Sequence, residues 1–260
     1  MRPFSANTYN KKNIANIIRD IKCKKCNYCT TKKIKGCTDL TNRDFSGEYF
    51  DSVNFCNADL SNVNFQGSFF SEPNFSNVNF TDANLTGVFM RGNLELENDF
   101  QGVNLEGADL SNSFFTHFKL NNLNFNNGNL MRSIFNYVDL KKSILTNINL
   151  SDSTFYNVDF SDANLENVNL RKSRSHLTKY TNTNLKNADL SMSVCVEGNF
   201  QNTNFESVDL KGACFLWCSF SDADFTDAKN VSGTRFNSCI IPDSTLNYLK
   251  SKGAIITLSH

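Results

Sequence analysis

The sequence predicts an all-β rod of stacked, four-sided coils, and three observations predict it. A bulky apolar residue falls on every fifth position from Leu40 to Phe225; of 38 such slots, eighteen are Phe, fifteen Leu, and three are Met90, Tyr180 and Cys195. Two residues earlier the chain is usually small, as at Ala58, Val63, Val78, Ala83, Ala108, Ala163 and Ala188. The residue between is Asn or Asp in 24 of the 38 cases. A period of five matches neither the helical 3.6 nor the strand period of 2. It matches a chain that turns a corner every five residues, with the small and the bulky residue inside and three residues outside. Asn, Asp, Ser and Gly suit those corners, because they tolerate unusual backbone angles and bond their own main chain. Four sides close a coil of about twenty residues, and stacked coils pair their backbones about 4.8 Å apart.

Residues 1–37 form an arm ahead of this body. They hold ten Lys or Arg and one acid, Asp20, so the formally neutral chain is a basic arm on an acidic body. "NKKNIANIIRDI" places Ile14, Ile17, Ile18 and Ile21 at helical spacing, which predicts an amphipathic N-terminal cap. "CKKCNYC", with Cys37 beyond it, sets Cys23, Cys26, Cys29 and Cys37 at spacings that suit zinc. A structural lead-in to the first coil, with Cys26 inward, is the simpler expectation.

The body, residues 38–241, follows. "NADL", "DANL", "NVNF" and "DADF" resemble the pentapeptide-repeat family, whose consensus is A(D/N)LXX, over roughly residues 38–228. The resemblance implies a right-handed quadrilateral β-helix, here of nine to ten coils with short helical caps. The beat slips by one residue after Asn230 and resumes at Phe236 and Ile241. Residues 242–260, "PDSTLNYLKSKGAIITL" onward, then predict a C-terminal helical cap with a Pro/Asp/Ser start and a Gly stop. Some family members dimerise through such a helix, so a homodimer is open.

Two slots break the rule, Glu95 and Ser175. Counted in steps of twenty, both fall on one face. At Glu95 a local bulge is expected, keeping the charge in water. At Ser175 the simpler expectation is a solvated bulge; the alternative is a basic knob of Arg171, Lys172, Arg174, His176 and Lys179 that contacts an acidic partner or phosphate.

Outward positions name a candidate contact surface. Tyr49, Phe69 and Phe89, twenty apart, should stack on one outer wall. Leu94, Phe114 and Ile134, then Thr154, should line the adjoining wall, with His117 and Tyr137 at the neighbouring corner. Exposed apolar columns meet a partner or are covered by the chain's own arm. Near the far end, Leu216 and Trp217 also point outward, where the C-terminal helix is expected to cover them.

Enzyme chemistry is not expected. The three histidines, His117, His176 and His260, have no metal spacing, no phosphate loop is present, and a rod packed with Phe and Leu leaves no substrate cavity. No cofactor and no metal is therefore assigned. The leading expectation is a non-catalytic protein–protein interaction scaffold; direct nucleic-acid binding is not expected. Family resemblance offers an alternative, a duplex-DNA mimic that binds gyrase and protects it from quinolones. The sequence shows no secretory leader or membrane span, which predicts a cytoplasmic protein; abundant Asn, Lys and Phe suggest an AT-rich bacterial genome, and a secreted effector remains open.

Overall fold

The structure is a computed structural model that describes residues 40–257, apart from 52, 54, 56, 72, 76, 77, 92–102 and 104. The N-terminal arm, with its isoleucines and four cysteines, lies outside the described residues, as do Leu94 and Glu95.

Eleven three-residue strands stack in chain order as one parallel sheet. They are β1 (Tyr49–Asp51), β2 (Phe69–Ser71), β3 (Phe89–Arg91), β4 (Phe114–Thr116), β5 (Ile134–Asn136), β6 (Thr154–Tyr156), β7 (Arg174–His176), β8 (Val194–Val196), β9 (Cys214–Leu216), β10 (Arg235–Asn237) and β11 (Ile255–Thr257). Single-residue parallel bridges mark the other three sides, as in Asp44↔Asn64, Asp59↔Asn79 and Asp139↔Asp159. The result is a four-sided β-solenoid of about ten turns. Each inward slot donates its N–H to the coil above, as Phe45 N to the Asn64 carbonyl at 2.7 Å, and each coil receives the reciprocal bond, as Asn64 N to Arg43 O at 2.8 Å. Backbone polarity is satisfied between coils, which leaves the interior to side chains alone.

Corners are built as the composition predicts. Ala58 N donates to Phe55 O at 2.8 Å across one such turn. The residue two beyond the slot takes positive φ, and it is most often Asn or Asp: Asn42, Asn62, Asp82, Asn122, Asn147 and Asp162 all lie near +60°. The Asp or Asn before each slot then serves twice. Asp44 Oδ1 accepts the Ser46 N–H at 3.0 Å and the Asn64 amide at 2.9 Å, and Asn64 Oδ1 accepts from Asn84 at 3.0 Å. That double duty explains why these residue types recur just before the slots.

Inside, the small positions are often hydroxyls. Ser68, Ser133, Ser143 and Ser153 are buried, and each donates to a carbonyl of the coil below, at 2.7–2.9 Å. Among the described residues no buried side-chain nitrogen or oxygen lacks a partner.

Two coils depart from twenty residues. Phe89 pairs with Phe114 and Asn84 with Asp109, so the coil between them has absorbed five extra residues. Near the other end Asp209 pairs with Asn230 while Lys229 N bonds Val208 O at 2.8 Å. Lys229 and Asn230 thus share one place opposite Asp209, a β-bulge, which is the one-residue slip seen in the sequence. Val231 then fills the inward slot.

The C-terminal end combines a helix with a last strand. Helix α1 (Asp243–Ser251) buries Leu249 against the core, and β11 then joins β10 as the final rung of the sheet.

Candidate functional site

The strand-bearing side differs from the other three because a whole triplet is extended there. The middle residue points in; those before and after point out, giving two outer columns about 6.6 Å apart along each strand. Side chains of one column stack at the rung spacing, which suits rings.

The column before the slots begins with a continuous ladder. Tyr49–Phe69, Phe69–Phe89 and Phe89–Phe114 ring centroids lie 4.9, 4.8 and 4.8 Å apart, with interplanar angles of 7–11°. Ile134 caps it, paired in register with Phe114. The sequence divided these residues between adjoining walls; the structure joins them into one, because the 25-residue coil moves Phe114 directly above Phe89. The same shift places Phe115 above Met90, so the Ser175 column continues down through Met90, Phe70 and Phe50.

A second aromatic run crosses from the corner into the other column. His117 stacks on Tyr137 at 5.2 Å, Tyr137 meets Tyr156 edge-on at 5.5 Å, and Tyr156 stacks on His176 at 5.3 Å. A hydrogen bond with Tyr137 pushes the Tyr156 phenol above its ordinary pKa. The sequence marked His117 and Tyr137 but missed Tyr156; its spacing of twenty from His176 was the available signal.

Of twelve large apolar side chains exposed among the described residues, nine stand on this face or its corner; Ile144, Met192 and Ile240 are the exceptions. Trp217 is 58% exposed, so α1 does not cover it. An open hollow of about 420 Å³ lies farther up the same face, walled by Thr154, Tyr156, Arg174, His176, Val194 and Val196.

The missed beat at Ser175 is not a bulge. Strand β7 is regular, pairing Phe155↔Ser175 and Ser175↔Cys195, and Ser175 is 8% exposed. Its hydroxyl pairs with that of buried Tyr180, whose phenol burial pushes far above its ordinary range. A Phe at 175 is therefore replaced by room and a partner for the Tyr180 hydroxyl. The surrounding cations do not form a knob either. Arg171 and Lys172 lie on the preceding side, where Arg171 donates to Ser191 at 3.2 Å. Arg174 and His176 lie on the strand face, with His176 3.7 Å from Glu197, and Lys179 lies on the next side, 3.7 Å from Asp159. Ten residues run halfway round a coil, so crowding in sequence becomes dispersion in space.

Elsewhere the surface is mixed. One side's column reads Asp44, Asn64, Asn84, Asp109, Asn129, Asn149, Asn169, Asp189 and Asp209, with acids interrupted by amides. Another reads Lys119, Asp139, Asp159 and Lys179, two acids between two lysines, with Lys141 bridging at 3.3 Å to Asp159. Cys195, Cys218 and Cys239 are buried in the core as unbridged thiols; hydrogen bonding to Cys195, together with burial, pushes Cys218 far up, away from thiolate chemistry. Among the described residues no group of three or more His, Cys, Asp or Glu is placed to hold a metal, and no helix is long and apolar enough to cross a membrane.

This architecture is that of a pentapeptide-repeat protein. The profile for pentapeptide repeats matches eight copies over residues 37–71, 74–92, 99–136, 133–171 and 196–227, and the chain belongs to that family. Among solved structures it is similar to HetL, a pentapeptide repeat protein involved in heterocyst differentiation regulation from the cyanobacterium Nostoc sp. strain PCC 7120, at 20% identity, covering 79% of this chain and 90% of HetL, with a TM-score of 0.36. It is also similar to a trypsin-treated variant of QnrB1, a plasmid-mediated fluoroquinolone resistance protein, at 14% identity, covering 82% and 95% of the two chains, with a TM-score of 0.38. A third is Rfr23 from the cyanobacterium Cyanothece 51142, at 17% identity over 75% and 89%, with a TM-score of 0.20. No curated protein sequence matches the chain.

Proposed function

We propose that this protein is a non-catalytic scaffold whose strand face docks another protein surface. One observation carries the reading: exposed large apolar side chains concentrate on one side of four, around the unbroken ladder from Tyr49 to Phe114. Contiguous apolar surface of this kind marks association sites, and rigid aromatics supply contact area at low entropic cost. A duplex mimic calls for a continuous acidic column, whereas here the acids are interrupted by Asn on one side and bounded by Lys on another.

The test compares the wild type with Phe69→Ser/Phe114→Ser and with Ile144→Ser, which alters the opposite side. Light scattering after size exclusion reads self-association, and affinity capture with mass spectrometry reads other partners. The expected result is that the double variant, with unchanged circular dichroism, loses an association that Ile144→Ser keeps. If the double variant matches the wild type in both assays, the reading fails. If it unfolds, the ladder is packed against the chain itself and the reading fails as well.

A further inference from the structure

We infer that the docking partner of the strand face is a second copy of this chain, held antiparallel about a twofold axis through β6; this rests on the docking-face reading above. Area is the first argument. The ladder from Tyr49 to Ile134 spans four rung intervals, about 19 Å, and on a face roughly 12 Å wide offers a footprint of only about 230 Å² per partner. Stable associations need about 600 Å² or more on each side. The full run of eleven strands is about 48 Å long and at the same width offers about 580 Å², which reaches the lower edge of that requirement. A partner therefore has to be flat, rigid and as long as the rod, and another rod of this kind is such a body.

Shape selects the antiparallel pairing. A twofold along the strand direction at β6 sets β5 of one copy over β7 of the other, and β4 over β8. The hollow is centred on β7, between the Thr154–Arg174–Val194 column and the Tyr156–His176–Val196 column. The same operation brings the protruding upper end of the ladder onto one wall of it, Phe114 opposite Val194 and Ile134 opposite Arg174, with Ile134 43% exposed. Farther out the same operation sets Tyr49 opposite Ile255, apolar on apolar, and Phe69 opposite Arg235, a cation over a ring. A twofold makes every such contact twice, so one self-complementary face suffices.

The full-length chain is measured by light scattering, with Ile134→Asp, Val194→Asp and the opposite-side control Ile144→Asp. The expected result is twice the monomer mass of 29.3 kDa for the wild type and the control, and a folded monomer for each of the other two. Geometry is read by mixing Tyr49→Cys with Ile255→Cys chains, oxidising, and mapping the linked peptides. A 49–255 linkage supports the antiparallel pair; a 49–49 linkage overturns it. A monomeric wild type overturns it too, and affinity capture that still depends on Phe69 and Phe114 would then leave the docking reading standing. If Ile134→Asp does not fold, the linkage pattern decides alone.

Discussion

The column of inward slots under the strand face holds Phe50, Phe70 and Met90 in the first coils and Phe155, Ser175 and Cys195 in the later ones. At the first end Phe50 and Phe70 stack at 4.9 Å, and Phe70 meets Phe65 and Phe75 edge-on at 5.1 and 5.2 Å. At the second, a hydroxyl pair, Ser175 with Tyr180, occupies the same place. The backbone lattice is the same in both: Phe69 N bonds Glu48 O, and Arg174 N bonds Ser153 O, each at 2.9 Å. The difference teaches that inter-coil hydrogen bonds set the shape, while the slots need only be filled and satisfied. One coil fills by ring packing, the other by a smaller side chain beside a larger polar one.

The comparison breaks most sharply at Phe70. Phe70→Ala empties a fully buried slot among aromatic neighbours and should cost about 3–5 kcal/mol, read from denaturant unfolding. Ser175→Ala should cost less, about 1–3 kcal/mol, by leaving the Tyr180 hydroxyl buried and unpaired. The double variant Ser175→Ala/Tyr180→Phe should regain most of that loss; if the two single effects simply add, the pair is not what holds this coil. At the corner beyond, Leu177 sits at φ +54°, which a branched apolar residue adopts at a cost. Leu177→Asn should stabilise by about 0.5–1 kcal/mol in thermal unfolding, since Asn already holds the equivalent corner at Asn157.

The smallest effect is electrostatic. Burial opposes the Asp159 charge, yet hydrogen bonds from Ser161 and the Lys141 ammonium outweigh it and hold the carboxyl below its ordinary value. A carboxylate whose folded pKa is lowered contributes stability above its unfolded pKa, near 3.9, and loses it as pH falls through the folded value. Asp139 and then Asp159 raise Lys141 correspondingly, so its contribution is present at neutral pH and fades only as pH rises beyond the lysine range. Asp159→Asn should therefore flatten the acid limb of the stability–pH curve by lowering the neutral plateau slightly, with little change at acid pH, as read from denaturant unfolding across pH.

Much of the site was legible before the fold. Tyr49, Phe69 and Phe89 could be stacked from their spacing alone, because the triplet before, at and after a slot always presents its flanks outward. What misled was the assignment of Phe114 and Ile134 to a separate wall, and the grouping of Arg171, Lys172, Arg174, His176 and Lys179 into one knob. The first error comes from counting in twenties across a coil of twenty-five, the second from reading distance along the chain as distance in space. In a coil, five residues are a quarter turn, so neighbours in sequence face different directions and residues twenty apart face the same one.

By itself the sequence determined the period, the inward slots, the turn residues at the corners and the single-residue slip near Asn230. Each of these is a local demand: a corner needs positive φ, a slot needs bulk, and a bulge shifts the beat by one. Only the tertiary structure decided which slots stand above which. An insertion of five residues preserves a beat of five, so periodicity is blind to it, while the hydrogen bonds between coils are not. They pair Phe89 with Phe114 and thereby turn two short apolar walls into one continuous face.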